Sequence, residues 1–415
     1  MHICIHRGAQ EIGGSCVELE SQGQRLILDL GLPLDAENND VKYLPEIPGL
    51  DGTDPSLLGV LISHPHVDHF GLLAHISEDI PVGMGAAARR ILKVAQPFMP
   101  GKWPAPENGP DYTSREAFEM GPFTITPYLV DHSAYDAYAL LIEAGGKRLF
   151  YSGDFRSHGR KGKLFEGMIA HPPRDIDVML LEGTSLGRLD DDRRFPTETD
   201  LEAQFEKVFR DTAGLSMVHC SSQNIDRIVS IMRASKRTGR KLVIDLYTAA
   251  ILEATGNPKL PQSDWSDVVL MIPHSQRIKI KTNGWFEQLK QHSRNRIFRD
   301  AIHGNPGQYT LLFRPLYKGD LTRGECLTGA SYIYSQWEGY WERGEYDVVK
   351  TWLQGNGINK QSIHTSGHAS PVDLKRFVKA LKPAKVVPIH TFKPDQYEKL
   401  YPNVEIHRDG EWWKI

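Results

Sequence analysis

Short apolar blocks separated by glycine-containing turns dominate the first 195 residues. Blocks at 1–6, 16–20 and 25–30 predict strands. Leu57-Leu58-Gly59-Val60-Leu61-Ile62 is apolar without a break, as expected of a strand buried on both faces, and Phe70-Gly71-Leu72-Leu73 opens a helix expected over 71–78. A second helical pattern covers 84–95, and the Pro- and Gly-rich stretch 97–112 reads as a loop. Strands follow at 123–130 and 178–181, with a hairpin of 137–144 and 147–151 around Gly145-Gly146. Near 196 the period changes. An amphipathic helix at 197–212, with Thr197 or Thr199 as its cap, precedes a strand at 215–220, a helix at 224–238 and a strand at 241–246. That alternation predicts a separate parallel α/β layer. The first style returns with a helix at 372–381 and a strand at 384–391. The 415 residues therefore read as two domains, with no internal repeat.

Composition adds limits. The chain is 40% hydrophobic and 24% charged, with a net charge of −3, so no global basic character marks a polyanion partner. Residues 223–300 nevertheless carry 14 Lys/Arg against 7 Asp/Glu. Arg227, Arg233, Lys236, Arg237, Arg240 and Lys241 cluster there, either as a solvated helix face or as a phosphate-tracking surface. Apolar runs do not exceed strand length, and residues 1–8 read as a strand rather than a leader. Cys4, Cys16, Cys220 and Cys326 have no paired spacing. Together these predict a cytoplasmic protein with no membrane partner.

The densest chemistry is Ser63-His64-Pro65-His66-Val67-Asp68-His69. Three imidazoles and a carboxylate within six positions are ligands that zinc and similar divalent ions favour. His132 and Asp154 each follow a predicted strand, and His390 and the acid Asp29 stand at the ends of two others. Ligand sites in open α/β sheets lie beyond the carboxyl ends of strands. The count suits two ions: His64, His66 and His132 for one, Asp68, His69 and His390 for the other, Asp154 between them, and Asp29 bracing a ligand. Two such ions, roughly 3.5–4 Å apart, share a hydroxide and grip a phosphoryl oxygen.

These residues resemble the motifs of metallo-β-lactamase-fold hydrolases of the β-CASP family, the ribonuclease J-like group. Asp29 matches the first motif, His64-Pro65-His66-Val67-Asp68-His69 the second, His132 the third and Ser152-Gly153-Asp154 the fourth. Glu182, the Ser366-Gly367-His368 triplet and His390 match the β-CASP motifs A, B and C, and Ser221-Ser222-Gln223-Asn224-Ile225-Asp226-Arg227 is similar to the start of the family's cap. The resemblance implies an α/β fold: an αββα sandwich built from 1–195 and 351–415, with an inserted α/β cap at 196–350. It implies hydrolysis of RNA at a di-metal centre in the cleft between domains, using zinc with manganese as the alternative. Asp68, Glu182 and His368 would be catalytic, His368 touching the scissile phosphate and protonating the leaving oxygen. His364 and Ser366 would line a phosphate pocket with it. The motif C histidine favours RNA, single-stranded, over DNA.

The chain ends at Ile415 and on this reading lacks the C-terminal domain of bacterial ribonuclease J, which leaves a homodimer undecided. The aromatic run 331–341 offers either core or base-stacking faces. Competing readings are a DNA nuclease, a thioester or lactone hydrolase of the same fold, and a non-catalytic RNA-binding subunit. Motif B and the basic insert argue against the second, the intact ligand set against the third.

Overall fold

The computed structural model describes residues 1–99, 101 and 103–415. Two positions of the loop expected at 97–112, Pro100 and Lys102, lie outside the described residues. The chain divides into two compact units, Met1–Phe195 with Gly367–Ile415, and Pro196–Ser366.

In the first unit, strands β1 (His2–Arg7), β2 (Cys16–Ser21), β3 (Gln24–Leu28), β4 (Leu57–Leu61), β5 (Val82–Gly85) and β6 (Asp111–Tyr112) lie side by side in one sheet. Strands β7 (Phe118–Met120), β8 (Phe123–Val130), β9 (Ala137–Ala144), β10 (Lys147–Tyr151) and β11 (Val178–Glu182) build a second. The second unit holds β12 (Ser216–His219), β13 (Lys241–Ile244), β14 (Val268–Leu270), β15 (Tyr309–Phe313), β16 (Ser331–Tyr334) and β17 (Lys360–Ser362) in one sheet of order β14-β13-β15-β12-β16-β17. The chain then returns. β18 (Lys385–Ile389) pairs in parallel with β11, and β19 (Trp412–Lys414) pairs antiparallel with β1.

Side-chain alternation explains the layering of the first unit. Ile3, Ile5, Val17, Leu19, Leu26 and Leu28 of the first sheet pack against Phe123, Ile125, Leu140, Ile142, Leu149 and Val387 of the second. The intervening residues face outward and are also buried. Cys16, Ile27, Val60 and Ile62 meet Phe70, Leu72 and Leu92, while Leu141, Phe150 and Leu181 lie under Phe165, Met168, Leu374 and Phe377 of helices Gly162–Ala170 and Pro371–Leu381. The result is the helix–sheet–sheet–helix sandwich. Strands covered on both faces read as unbroken apolar runs, as 57–62 does. Each such buried side chain contributes roughly 1.5–3 kcal/mol.

The insert's sheet is parallel throughout, as its strand–helix alternation predicts. Its helix Glu198–Asp211 carries the expected Thr197 cap, in a capping box with Asp200. Residues 351–366, assigned from sequence to the completion of the first domain, pack with the insert, because β17 pairs with β16. The insert's two ends run together, Thr365 Oγ1 donating to Pro196 O at 2.6 Å.

Two expectations need correction, and two alternatives left open are decided. The helix expected at 71–78 starts earlier, as a single α-turn Val67–Phe70 continued by a 3-10 turn Gly71–His75, with extended His66 as N-cap. The pattern at 84–95 hid a strand: β5 runs to Gly85 and the helix is Ala86–Ala95, its first N–H groups capped by the Asp136 carboxylate. The cationic cluster on helix Ile225–Arg237 is not an open phosphate track. Arg227 is buried on Glu198, Arg240 donates to the Phe209, Gly214 and Tyr309 carbonyls, Arg233 and Arg237 pair with Glu202, and Lys236 pairs with Asp267. Of the aromatic run, Tyr332, Tyr334 and Trp341 belong to the insert's core, leaving Trp337 exposed.

Candidate metal centre

The candidate ligands leave the carboxyl ends of strands in the two facing sheets. Asp29 follows β3, His64 to His69 follow β4, His132 follows β8, Asp154 follows β10, Glu182 ends β11 and His390 follows β18. β3 and β4 are parallel, as are β10, β11 and β18, so these ends open on one side of the sandwich. Hydrogen bonding of the outer strand residues consumes their backbone groups and leaves the following residue free to turn. Asp29 (φ 58°), His390 (φ 53°) and Gly153 (φ 50°) all take left-handed conformations there. At Gly153 a side chain would meet the Tyr138 carbonyl and Ser63, so the Ser-Gly-Asp turn needs its glycine.

Three imidazole nitrogens converge first. His66 Nδ1 lies 3.2 Å from His64 Nε2 and 3.1 Å from His132 Nε2. Nitrogens bound tetrahedrally to one ion at 2.0–2.1 Å stand roughly 3.3 Å apart, so the set fits a metal. His132 donates through Nδ1 to Gly367 O at 2.6 Å, which leaves Nε2 as a lone-pair donor. Burial pushes the His64 and His132 imidazoles well below their usual range and His66 down to about 4, favouring the neutral, ligating form.

A second set lies beside it. Asp68 Oδ2 is 3.9 Å from His69 Nε2 and 3.5 Å from His390 Nε2. Both nitrogens are buried without a hydrogen-bond partner among the described residues. Such orphaned atoms, gathered beside the Asp68 and Asp154 carboxylates, are what a cation site looks like from the protein side. Asp154 sits between the sets: Oδ2 is 3.7 Å from His64 Nε2 and 3.2 Å from His69 Nε2, while Oδ1 is 2.8 Å from His390 Nδ1. The structure thus brings together all seven residues expected as ligands, in groups each able to hold an ion.

His368 adjoins them. Its Nδ1 is 3.6 Å from Asp154 Oδ2 and 3.6 Å from Glu182 Oε2. Burial opposes its charge, but the Asp154 and Glu182 carboxylates outweigh burial and raise its pKa. Glu182 is itself fixed by the Thr184 and Ala369 N–H groups at 2.9 and 3.2 Å. His364 and Ser366 belong to the other unit, where His364 Nδ1 lies 3.5 Å from Arg227 Nη1.

Sequence reasoning missed the supports. Asp29 accepts from Ser63 N, Ser63 Oγ, His69 Nδ1 and Tyr151 OH at 2.6–2.8 Å. Tyr151 carried one faint signal, a hydroxyl ending an apolar strand. Arg156 is fully buried with Nε 3.3 Å from Asp131 Oδ1, and Asp131 Oδ2 accepts from Gly159 N, which locks the loop carrying His132.

Comparisons with known proteins agree with this arrangement. Residues 40–221 match the profile of a beta-lactamase superfamily domain, and residues 359–397 that of a Zn-dependent metallo-hydrolase RNA specificity domain. Ribonuclease J of Mycolicibacterium smegmatis is 24% identical over 408 residues, covering 92% of this chain and 67% of that protein. Probable RNase MJ4 of Methanocaldococcus jannaschii is 26% identical over 56% of each chain. Ribonuclease J of Helicobacter pylori is 20% identical over 92% of this chain and 55% of its own length, so the chain spans only part of these relatives. A solved protein of unknown function from Enterococcus faecalis shares the fold over 99% of both chains, with a TM-score of 0.81 at 20% identity.

Proposed function

We infer that this chain, a metallo-β-lactamase-fold hydrolase of the ribonuclease J-like β-CASP type, hydrolyses phosphodiester bonds of RNA with the help of divalent metal ions. The observation that carries the reading is the pairing of two convergent ligand sets with a histidine, His368, that stands beside the Asp154 and Glu182 carboxylates at their edge, in a chain whose segment 359–397 matches an RNA-specificity profile.

His64, His66 and His132 would hold one ion, Asp68, His69 and His390 a second, with Asp154 shared. The imidazole-rich donor set favours zinc over manganese. A metal ion held there would lower the pKa of a bound water towards about 7 and would withdraw charge from a phosphoryl oxygen. The chain supplies the rest. Asp29 keeps the His69 proton on Nδ1 and its Nε2 lone pair turned inward. The Glu182 and Asp154 carboxylates, each 3.6 Å from His368 Nδ1, favour the charged imidazolium, which supports a role for His368 as the acid that protonates the leaving oxygen. Single-stranded RNA is the proposed substrate, with His364 and Ser366 as phosphate contacts. The four cysteines are free and buried, and no helix among the described residues is long and apolar enough to cross a membrane, in keeping with the proposed cytoplasmic location.

Incubation with 5′-phosphorylated and 5′-hydroxyl RNAs, with and without chelator, tests the reading. Metal-dependent shortening of RNA is expected. Turnover of a thioester or lactone with intact RNA would transfer the site to small-molecule hydrolysis.

A further inference from the structure

The second unit, which holds none of the seven candidate metal ligands, contains a cavity of about 260 Å³ after the end of β14, lined in part by Arg277, Arg296, Phe298, Arg299, Asp300 and Asp320. Its acids are largely committed. Asp320 is buried and accepts from His274 N at 2.8 Å and from Arg277 Nη2 at 3.0 Å, with Arg323 3.7 Å away. Asp300 stands at the exposed rim, 3.7 Å from Arg299 Nε, where solvent screens the pair. Arg296 and Arg299 are less committed than Arg277. Arg296 Nε is shielded from water without a hydrogen-bond partner among the described residues. Its guanidinium lies 4.9 Å from the Phe298 ring centre, and Phe298 itself is 57% exposed. Phe298 thus presents a large apolar ring to solvent at the rim of a cavity that three arginines also line. The same pair suits a nucleotide: a flat ring stacks a base irrespective of its identity, and planar guanidinium forks match phosphate oxygens. A chain backbone alone would use the arginines but not the ring.

We propose that this cavity is an RNA-contact site separate from the metal centre, taking one nucleotide of a single strand with its base on Phe298 and its phosphate at Arg296 and Arg299. It goes beyond the hydrolytic reading and rests on that reading only for the choice of RNA as the strand. The insert's cationic excess thus acts through this corner rather than through the helix Ile225–Arg237, whose cations are paired within the fold.

Fluorescence anisotropy of a fluorescein-labelled 20-nucleotide oligouridylate, measured in EDTA with the full chain, tests the site without catalysis. Phe298→Ala and Arg296→Gln are each expected to weaken binding at least about 5-fold, the low end for one lost stacked base. Phe298→Ala changes an exposed side chain and is the arm least exposed to misfolding. Hydrolysis of bis-p-nitrophenyl phosphate by the metal-loaded variants should match wild type, which separates this site from the centre. Inorganic polyphosphate, as competitor, should bind Phe298→Ala as it binds wild type. Wild-type affinity for the oligouridylate in Phe298→Ala, equal losses for polyphosphate, or no binding of the oligouridylate by the unmodified chain would each overturn the proposal. A larger loss for poly-glutamate than for oligouridylate would overturn it in favour of an acidic peptide. If metal-loaded wild type cleaves no RNA, the hydrolytic reading fails while the anisotropy result still stands.

Discussion

Asp29 Oδ2 lies 2.7 Å from His69 Nδ1, two buried side chains forty positions apart in sequence. The carboxylate fixes the tautomer and the ring plane, so that His69 presents Nε2 to the interior of the centre. Asp29→Asn keeps the shape and removes the charge. Metal affinity, measured by competition with a chromophoric chelator, should fall about 10–100-fold with little change in the metal-free melting temperature. Undiminished affinity would mean that Asp29 only braces the loop.

Gly31 carries a second constraint on the same loop. A Cβ there would overlap the Asp68 carbonyl oxygen, and Gly31 N already donates to Ser15 O while Ser15 N donates to Asp68 O. Gly31→Ala should therefore displace Asp68 and His69 together. The expected result is loss of metal binding with the rest of the fold retained by circular dichroism; full occupancy by metal in this variant would contradict the packing argument.

His368 and Glu182 should act on turnover more than on metal content. Removal of a general acid typically slows the chemical step by about 10²–10⁴-fold. His368→Ala is expected in that range on RNA, and Glu182→Gln should slow cleavage less, since a neutral amide still orients the ring. Metal stoichiometry by atomic absorption should equal wild type in both. A parallel loss of metal would make His368 a ligand rather than an acid.

Stability of the insert should depend on His219. The ring is buried, with Nδ1 2.6 Å from the Tyr332 hydroxyl, and burial, helped by the Arg314 charge, pushes its pKa down to about 4. The unfolded chain binds this proton from pH ~6.5 downward, whereas the folded chain resists until about 4. Stability is thus intact above ~6.5 and declines as pH falls through that window, by about 1.4 kcal/mol per pH unit and roughly 3 kcal/mol in all. Urea titrations between pH 7 and 4 should show a shallower decline for His219→Gln than for wild type. Identical slopes would remove His219 from the account.

Much of the centre was readable in one dimension because strands announce their ends. His64 to His69, His132, Asp154 and His390 each follow an apolar run, and a run's last residue is where a buried sheet releases the chain. The supports were not readable. Tyr151 and Ser63 resemble ordinary strand and loop residues, and only the facing of two sheets puts both on Asp29. The cationic face of helix Ile225–Arg237 stayed ambiguous for the converse reason: its partners Glu202 and Asp267 lie on other elements, and charge counted along the chain ignores neighbours across it.

The amino-acid sequence by itself determined the chemistry available: which side chains can ligate, which strands are buried, where the α/β insert begins. Periodicity and residue type are local properties and survive projection onto one dimension. Tertiary structure decided what those side chains do together. Asp154 meets His390 across 236 positions, and β18 returns to lie beside β11, because the hydrophobic faces of distant strands have to be buried against each other. Distances between ligands, the orphaned nitrogens of His69 and His390, and the boundary of the insert at Ser366 all follow from that long-range packing.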